Sequence, residues 1–310
     1  VTTGSRRLGP GAKKALGIFA RYGTIIGLLA MIAAFSFLSP RAFPTVNNFT
    51  NVLNQASLAM IIAGGLTLAV TVGELDLSIG FAASLHGILV TGLIVHDGVP
   101  IPLAILIVVA LGAAIGVING FIVTKMKVNS VIATLGVGTI ITGAAFAYSA
   151  GVPFGIPNNI VIMVFILGAL WLLVERTSIG QQIQAAGGNA AAARLAGINV
   201  DRIKTLGFVI SGMCAALTGI LLASRLGSGT TSAADSYLLT AFAAVFLGSA
   251  TLRDGEFHIL GTLVGALIIA SGLNGLNIFG APTWSQYVFQ GAILIIAVGL
   301  SSLGRVLAGR

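Results

Sequence analysis

The stretch VGELDLSIG (72–80) places two carboxylates in surroundings that are almost free of charge. No acidic residue precedes Glu74, and residues 42–73 carry no charge of either sign. Asp76 and Ser78 follow at alternate positions, which point the same way in an extended segment but diverge in a helix. A carboxylate inside an apolar segment is costly, so it indicates an ion or solute pathway or a buried structural contact.

The composition explains the apolar surroundings. The 310 residues are 56% hydrophobic and only 8% charged, with a mean hydropathy of +1.05. Soluble domains are roughly one quarter charged, so the chain is a polytopic membrane protein. A span needs roughly 20 apolar residues, and the uncharged runs therefore predict an all-α fold of about ten transmembrane helices. A break between two of these spans is expected at GVPFGIPNN (151–159), whose prolines and glycines favour a turn.

The basic residues predict the topology. The formal charge is +8, but the basic residues are scattered in short groups, which argues against a nucleic-acid partner. Of the 16 Lys and Arg residues, all but Arg41 and Arg225 fall at the termini or in alternate connections, the pattern of cytoplasmic segments. Both termini are therefore expected in the cytoplasm, with an uncleaved first helix.

The domain organisation follows from the same runs. Residues 1–21 are expected to form a basic cytoplasmic N-terminal segment, and residues 22–310 a single transmembrane domain. The largest polar excursion, about residues 175–204, falls on the cytoplasmic side. Glycines at four-residue spacing, Gly112, Gly116 and Gly120 and then Gly261 and Gly265, predict close contacts between helices.

The excursion contains a short helical signal. Asn189 is a suitable N-cap for a helix over Ala190–Ala196, and Gly197 can end that helix in a left-handed conformation. Seven residues are too few for a helix that is stable alone in water. The membrane surface, the rest of the chain or a separate cytoplasmic protein must hold it.

These residues carry a family resemblance. Gly187, Gly188 and Asn189, followed by Gly197, resemble the coupling segment of permease subunits in bacterial ABC importers for ribose and related simple sugars. GELDLSIG (73–80), TAFAAVFLGSATL (240–252) and GTLVGALIIASGLNGLNIFG (261–280) are also similar to that family, over about residues 47–300.

The resemblance implies partners for the chain. These are an ABC ATPase subunit, a periplasmic solute-binding protein and a second permease copy or homologous permease, in the bacterial inner membrane. The residues implied in coupling to the ATPase are Gly187, Gly188, Asn189, Arg194 and Gly197. Arg194 is expected to be exposed and to face an acidic rim of the ATPase.

The chain lacks the usual means of binding nucleotide. A phosphate-binding loop requires a Gly-Lys pair before Ser or Thr, and the sequence contains no Gly-Lys pair. We therefore expect a permease rather than an enzyme, with no cofactor in this chain and ATP with Mg²⁺ bound by the partner subunit. No metal site is expected, because the histidines lack other ligands at suitable spacing.

The candidate residues of the translocation pathway are polar groups within apolar runs: Asp76, Ser78, Asn119, Asn274 and Asn277. Each of the three amides can instead join two helices. Residues 73–80 are expected either to break a helix, with Asp76 and Ser78 satisfying freed backbone amides, or to form a cytoplasmic loop in which Asp76 caps the next helix.

Glu74 is a departure from the family, which often has glycine there, so Glu74→Gly is expected to be tolerated unless Glu74 contacts solute. The sequence therefore predicts the transmembrane subunit of an ATP-driven importer for a simple sugar or sugar-like solute. The alternative is a secondary transporter driven by ions through Glu74 and Asp76.

Overall fold

The computed structural model describes residues 10–149, 154–155, 163–250 and 256–307. Within these ranges the chain forms twelve helices and one pair of two-residue strands. The helices are α1 (Pro10–Leu38), α2 (Val46–Thr71), α3 (Ile79–Val95), α4 (Ile101–Thr124), α5 (Ser130–Ser149), α6 (Met163–Arg176), α7 (Ser178–Gly188), α8 (Ala190–Leu195), α9 (Val200–Leu226), α10 (Asp235–Ser249), α11 (Ile259–Ile278) and α12 (Thr283–Leu307). Residues 1–9, most of the predicted break at 151–159, and Arg253 lie outside the described residues.

Helix length and composition agree with membrane spans. Five helices, α2, α4, α5, α9 and α11, have 20 to 27 residues and are strongly apolar. At 1.5 Å per residue, each is long enough to cross a hydrocarbon core about 30 Å thick. Shorter apolar helices occupy Tyr22–Leu38, Ile79–Val95, Asp235–Ser249 and Thr283–Gly299. The predicted all-α architecture is confirmed at this level, and α1 begins inside the segment predicted to precede the first span.

α2 and α9 form the centre of the bundle. α9 packs against α2, α3 and α4, and α2 also contacts α10 and α11. The side chains of Ile61, Ile62 and Leu66 on α2 are fully buried. In contrast, Ile132 and Ile140 on α5 are exposed, as expected of a lipid-facing surface. The uncharged run before Glu74 is therefore the innermost helix of the protein.

The four-residue glycine spacings allow close helix contacts, as predicted. A Cβ added to Gly112 would lie 2.5 Å from the carbonyl oxygen of Gly212 on α9, and one on Gly120 would lie 2.6 Å from the Thr205 side chain. Gly261 and Gly265 likewise abut the α10 backbone, at Gly248 and Ala244. Larger residues would force these helix axes apart.

The short strands β1 (Phe154–Gly155) and β2 (Ser228–Gly229) pair antiparallel beside α3. A Cβ on Gly229 would lie 2.7 Å from the Cα of Ile88, so the strand backbone packs directly on the middle of α3. Non-helical backbone is tolerated at this depth because protein surrounds it.

The bundle has two distinct ends. The end that contains residues 72–78, the α4–α5 connection and helices α7 and α8 is called the connection end below. The opposite end, where α2, α4 and α12 begin and α9 terminates, is called the far end.

Candidate functional site

The α2–α3 connection is a buried non-helical segment. α2 ends at Thr71, α3 begins at Ile79, and Gly73 adopts a left-handed conformation with φ +83°. Apart from the exposed Gly73, the segment is buried or half-buried by protein, which is compatible with the broken-helix interpretation. Asp76 and Ser78 are both 1% exposed.

Asp76 is the centre of a hydrogen-bonded cluster. Its Oδ1 accepts from the backbone amide of Ser78 at 3.1 Å and from the Ser78 hydroxyl at 2.6 Å. Its Oδ2 accepts from the hydroxyl of Ser211 on α9 at 2.7 Å. Asn119 on α4 donates from Nδ2 to the Ser78 oxygen at 2.9 Å. The carboxylate therefore ties the connection to two neighbouring helices.

The predicted role of Ser78 needs a correction. Asp76 does accept from a freed backbone amide, but the Ser78 hydroxyl donates to Asp76 instead of satisfying an amide itself. The amides of Leu75 and Leu77 are satisfied by Ser130 Oγ at 3.2 Å and Thr134 Oγ1 at 3.0 Å, both on α5. Sequence reasoning missed these two hydroxyls, whose four-residue spacing places them on one helix face.

Glu74 forms an ion pair that the sequence analysis did not anticipate. Its Oε1 lies 2.5 Å from Nζ of Lys204 in the first turns of α9. The side chains are 10% and 24% exposed, so each charge is compensated where water is scarce. This pair gives a reason for the acid at position 74 and replaces the expectation that Glu74→Gly is tolerated.

The polar excursion between α6 and α9 has the predicted short helix. Asn189 Oδ1 accepts from the amides of Ala191 and Ala192 at 3.1 and 3.0 Å, and Gly197 has φ +84°. α8 ends at Leu195, one residue before the predicted end, and Ala196 forms its C-cap. The N-cap and the left-handed glycine are confirmed.

α7 and α8 share an apolar core with α2 and α9, called the coupling core below. Its buried members are Leu68, Val72, Val174, Ile183, Ala186, Ala193, Val200, Ile203 and Ile259. In addition, Gly187 at the end of α7 packs directly on the backbone carbonyl of Thr71, the last residue of α2, and a Cβ there would overlap it. Gly188, by contrast, has open space around it.

The outer surface of α8 carries the two neighbouring residues Arg194 and Leu195. Arg194 is exposed, but its guanidinium lies 3.4 Å from Asp201 on α9, which Lys127 also approaches at 3.5 Å. Arg194 therefore already has a partner within the chain. Its neighbour Leu195 is 92% exposed. This leaves an apolar side chain on the outer surface of α8 that sequence reasoning did not single out.

The structure separates the five pathway candidates. Asp76, Ser78 and Asn119 meet in one cluster at the connection end. Thr262 at the start of α11 contacts Thr67 near the end of α2, with 2.8 Å between hydroxyl oxygens. Asn274 lies twelve residues further along α11, about 18 Å toward the far end. Asn277 is exposed beyond it and accepts from Gln286 at 2.7 Å.

A cavity of about 320 Å³ with a mixed apolar and polar lining lies near the far-end residue Asn274. It is called the outer cavity below, and it lies between α2, α9, α10, α11 and α12. Its polar lining consists of Gln55, Arg225, Ser236, Tyr237, Thr240 and Gln290. Sequence reasoning did not assign it, although Arg225 was one of two basic residues that departed from the topology pattern. No group of three or more metal-ligating side chains occurs among the described residues.

Comparison with known proteins decides the family. Residues 48–298 match a family model described as branched-chain amino acid transport system / permease component. The chain belongs to this permease family. It is a multi-pass permease subunit of the inner membrane, and not an enzyme.

Similar proteins include sugar permeases from two bacteria. The ribose import permease protein RbsC of Escherichia coli (strain K12) is 38% identical over 295 residues, which cover 89% of this chain and 91% of that protein. RbsC of Bacillus subtilis (strain 168) is 37% identical, covering 91% and 92%. The D-allose transport system permease protein AlsC of Escherichia coli (strain K12) is 32% identical, covering 91% and 92%. Among solved structures, none matches the chain significantly.

Proposed function

We propose that this permease carries a simple sugar or a sugar-like solute across the bacterial inner membrane as the transmembrane subunit of an ATP-driven importer. The observation that carries the proposal is α8, a capped helix with an exposed leucine whose buried face shares the coupling core with α2. Such a helix can receive a force from a partner protein and pass it to the centre of the bundle. The names of the similar permeases supply the class of solute.

The partners follow from what this chain lacks. A separate ATPase subunit would bind ATP with Mg²⁺ and dock on α8, because the chain has no phosphate-binding loop of its own. A periplasmic protein would deliver the solute, and a second permease copy or a homologous permease would complete the transmembrane part. The lipid bilayer would cover the exposed apolar faces of α4 and α5.

The proposed topology has ten spans, α1 to α6 and α9 to α12, with both termini in the cytoplasm. α7 and α8 then form the cytoplasmic coupling segment within residues 175–204. The basic residues Lys125 and Lys127 belong to the connection end, together with Lys204 and Arg194. This charge distribution supports a cytoplasmic connection end.

Coupling would proceed through contacts within the chain. Closure of the nucleotide sites in the ATPase would move α8, and Ala193 and Ile183 would carry that movement into the coupling core. Gly187 presses on the last residue of α2, so movement of α7 reaches the α2–α3 connection directly. A two-state bundle biased in this way alternates between inward and outward access.

The ion-driven alternative requires that Glu74 or Asp76 at the connection end be free to bind the coupling ion. Glu74 is paired with Lys204, and Asp76 accepts three hydrogen bonds. Uptake by the purified permease alone, under an ion gradient and without ATP, would support this alternative and contradict the proposal.

The test of coupling uses Leu195→Glu in the reconstituted transporter with its ATPase and binding protein. A leucine that the docked ATPase would bury contributes roughly 1.5–3 kcal/mol, and each 1.4 kcal/mol is tenfold in binding. Solute-stimulated ATP hydrolysis is therefore expected to fall about tenfold or more, with normal membrane insertion. Gln181→Glu adds the same charge on the exposed face of α7 and should leave stimulation unchanged. Equal stimulation in both variants would remove α8 from the interface.

A further inference from the structure

The lining of the outer cavity includes an exposed arginine, Arg225, that has no counter-charge among the described residues. Arg225 lies in the last turn of α9, and it forms no ion pair with any residue that the structure describes. None of the cavity's lining residues is acidic. The nearest acid along the chain, Asp235, accepts a hydrogen bond from Ser84 of α3 at 2.8 Å and is not part of the lining.

The lining also offers one buried polar atom without a partner among the described residues. The Oε1 atom of Gln290 is buried and has no hydrogen-bond partner among the described residues. Gln55 and the hydroxyls of Ser236, Tyr237 and Thr240 stand on the same lining. A buried amide oxygen without a donor is costly, so a bound solute with hydroxyl groups would stabilise this surface.

The size of the cavity fits one small molecule. A volume of about 320 Å³ lies at the lower end of the range for ligand sites, roughly 300–1,000 Å³. Apolar residues such as Leu222, Ile269 and Leu273 complete the lining. An apolar wall with a few convergent polar groups is the usual form of a site for a single sugar-sized ligand.

We propose that the outer cavity binds the solute during transport, and that Arg225 is a specificity-determining residue that favours solutes with a negative charge. The preferred class is a hydroxyl-rich carboxylate, a sugar acid, over the corresponding neutral sugar. A guanidinium forms two parallel hydrogen bonds with a carboxylate, and these charge-assisted bonds are stronger than neutral ones. This inference rests on the proposed transport function but adds a site and a solute class to it.

The charge of the cavity can be tested without any solute. Ser236→Cys places a thiol on the exposed part of the lining, while the native Cys214 is buried. An anionic methanethiosulfonate reagent should modify this thiol faster than a cationic one, and Arg225→Gln should lower the anion-to-cation rate ratio severalfold. Arg225→Lys should retain the ratio, and higher salt should reduce it.

Two results would overturn the role of Arg225 in that experiment. One is an unchanged ratio in Arg225→Gln. The other is an equal change at Val46→Cys, a control thiol at the far end that does not line the cavity.

The solute class is tested by protection of the same thiol in proteoliposomes without ATP. D-ribonate should protect Ser236→Cys at a concentration severalfold lower than D-ribose, and Arg225→Gln should abolish the difference. Equal protection by both would contradict the preference for anions, and protection by neither would contradict a solute site in this cavity. ATP-driven uptake of the same two solutes by the native transporter is measured in parallel. Failure of the proposed site can then be distinguished from failure of the proposed transport function.

Discussion

At the scale of single residues, Glu74 shows why a charge cannot be interpreted apart from its partner. In the sequence it stands alone after a long uncharged run, which raised the hypothesis of an ion pathway. In the structure its carboxylate meets Lys204, 130 positions later. A charge removed from water is destabilising unless an opposite charge accompanies it, so the pair accounts for both residues.

The Glu74–Lys204 ion pair leads to a quantitative prediction about the stability of the protein. Glu74→Gln leaves the Lys204 ammonium without its charged partner and should destabilise the protein by about 1.5–3 kcal/mol, the range for hydrogen bonds to charged groups. The double variant Glu74→Gln with Lys204→Met should recover part of this loss. The measurement is the thermal unfolding midpoint of the purified permease in detergent.

The control for these stability measurements is Lys127→Gln. The Lys127 side chain is 68% exposed beside Asp201, and exposed pairs contribute little, so a small change is expected. If the loss of stability in the double variant equals the sum of the losses in Glu74→Gln and Lys204→Met measured singly, the two side chains are not coupled.

At the scale of elements, the α2–α3 connection is a joint supported from several helices. Ser130 and Thr134 of α5 satisfy its amides, while Asn119 of α4 and Ser211 of α9 complete the Asp76 cluster. α7 reaches the same joint through Gly187. The cluster therefore holds the shape of the element that the coupling segment contacts.

Two glycine substitutions, one inside this contact and one outside the coupling segment, test it. Gly187→Ala would place a methyl group against the Thr71 carbonyl, and overpacking of this kind costs roughly 1–3 kcal/mol. We expect a severalfold loss of solute-stimulated ATP hydrolysis in the reconstituted transporter. Gly143→Ala on α5, which meets open space and lies outside the coupling segment, is the control and should behave as the native chain does. The same effect from both substitutions would mean that the α7–α2 contact does not transmit coupling.

At the scale of the whole molecule, the two ends of the bundle differ in chemistry. The connection end carries paired charges and the exposed α8, whereas the far end opens into the outer cavity with its single arginine. An importer needs such a division, since it meets solute on one side of the membrane and its energy source on the other.

The orientation of these ends can be measured by thiol labelling. A membrane-impermeant maleimide applied to intact cells should label Val46→Cys at the far end but not Gln181→Cys on α7. Permeabilisation should expose Gln181→Cys to the reagent, and the buried Cys214 supplies a low background. Labelling of Gln181→Cys in intact cells would reverse the proposed topology.

The sequence by itself determined the features that depend on neighbours along the chain. The helical class follows from long apolar runs, and the α8 cap follows from Asn189, whose side chain bonds amides two and three residues later. The glycine spacing likewise predicted close helix contacts, because one helix face is defined by local geometry.

Only the tertiary structure decided which distant residues meet. Asp76 finds Ser211 across 135 positions, and Glu74 finds Lys204 across nearly as many. The outer cavity requires five helices to converge, and no single run in the sequence carries a signal for it. Such contacts depend on how complete helices pack, and packing is settled by the shapes and charges of all their faces together.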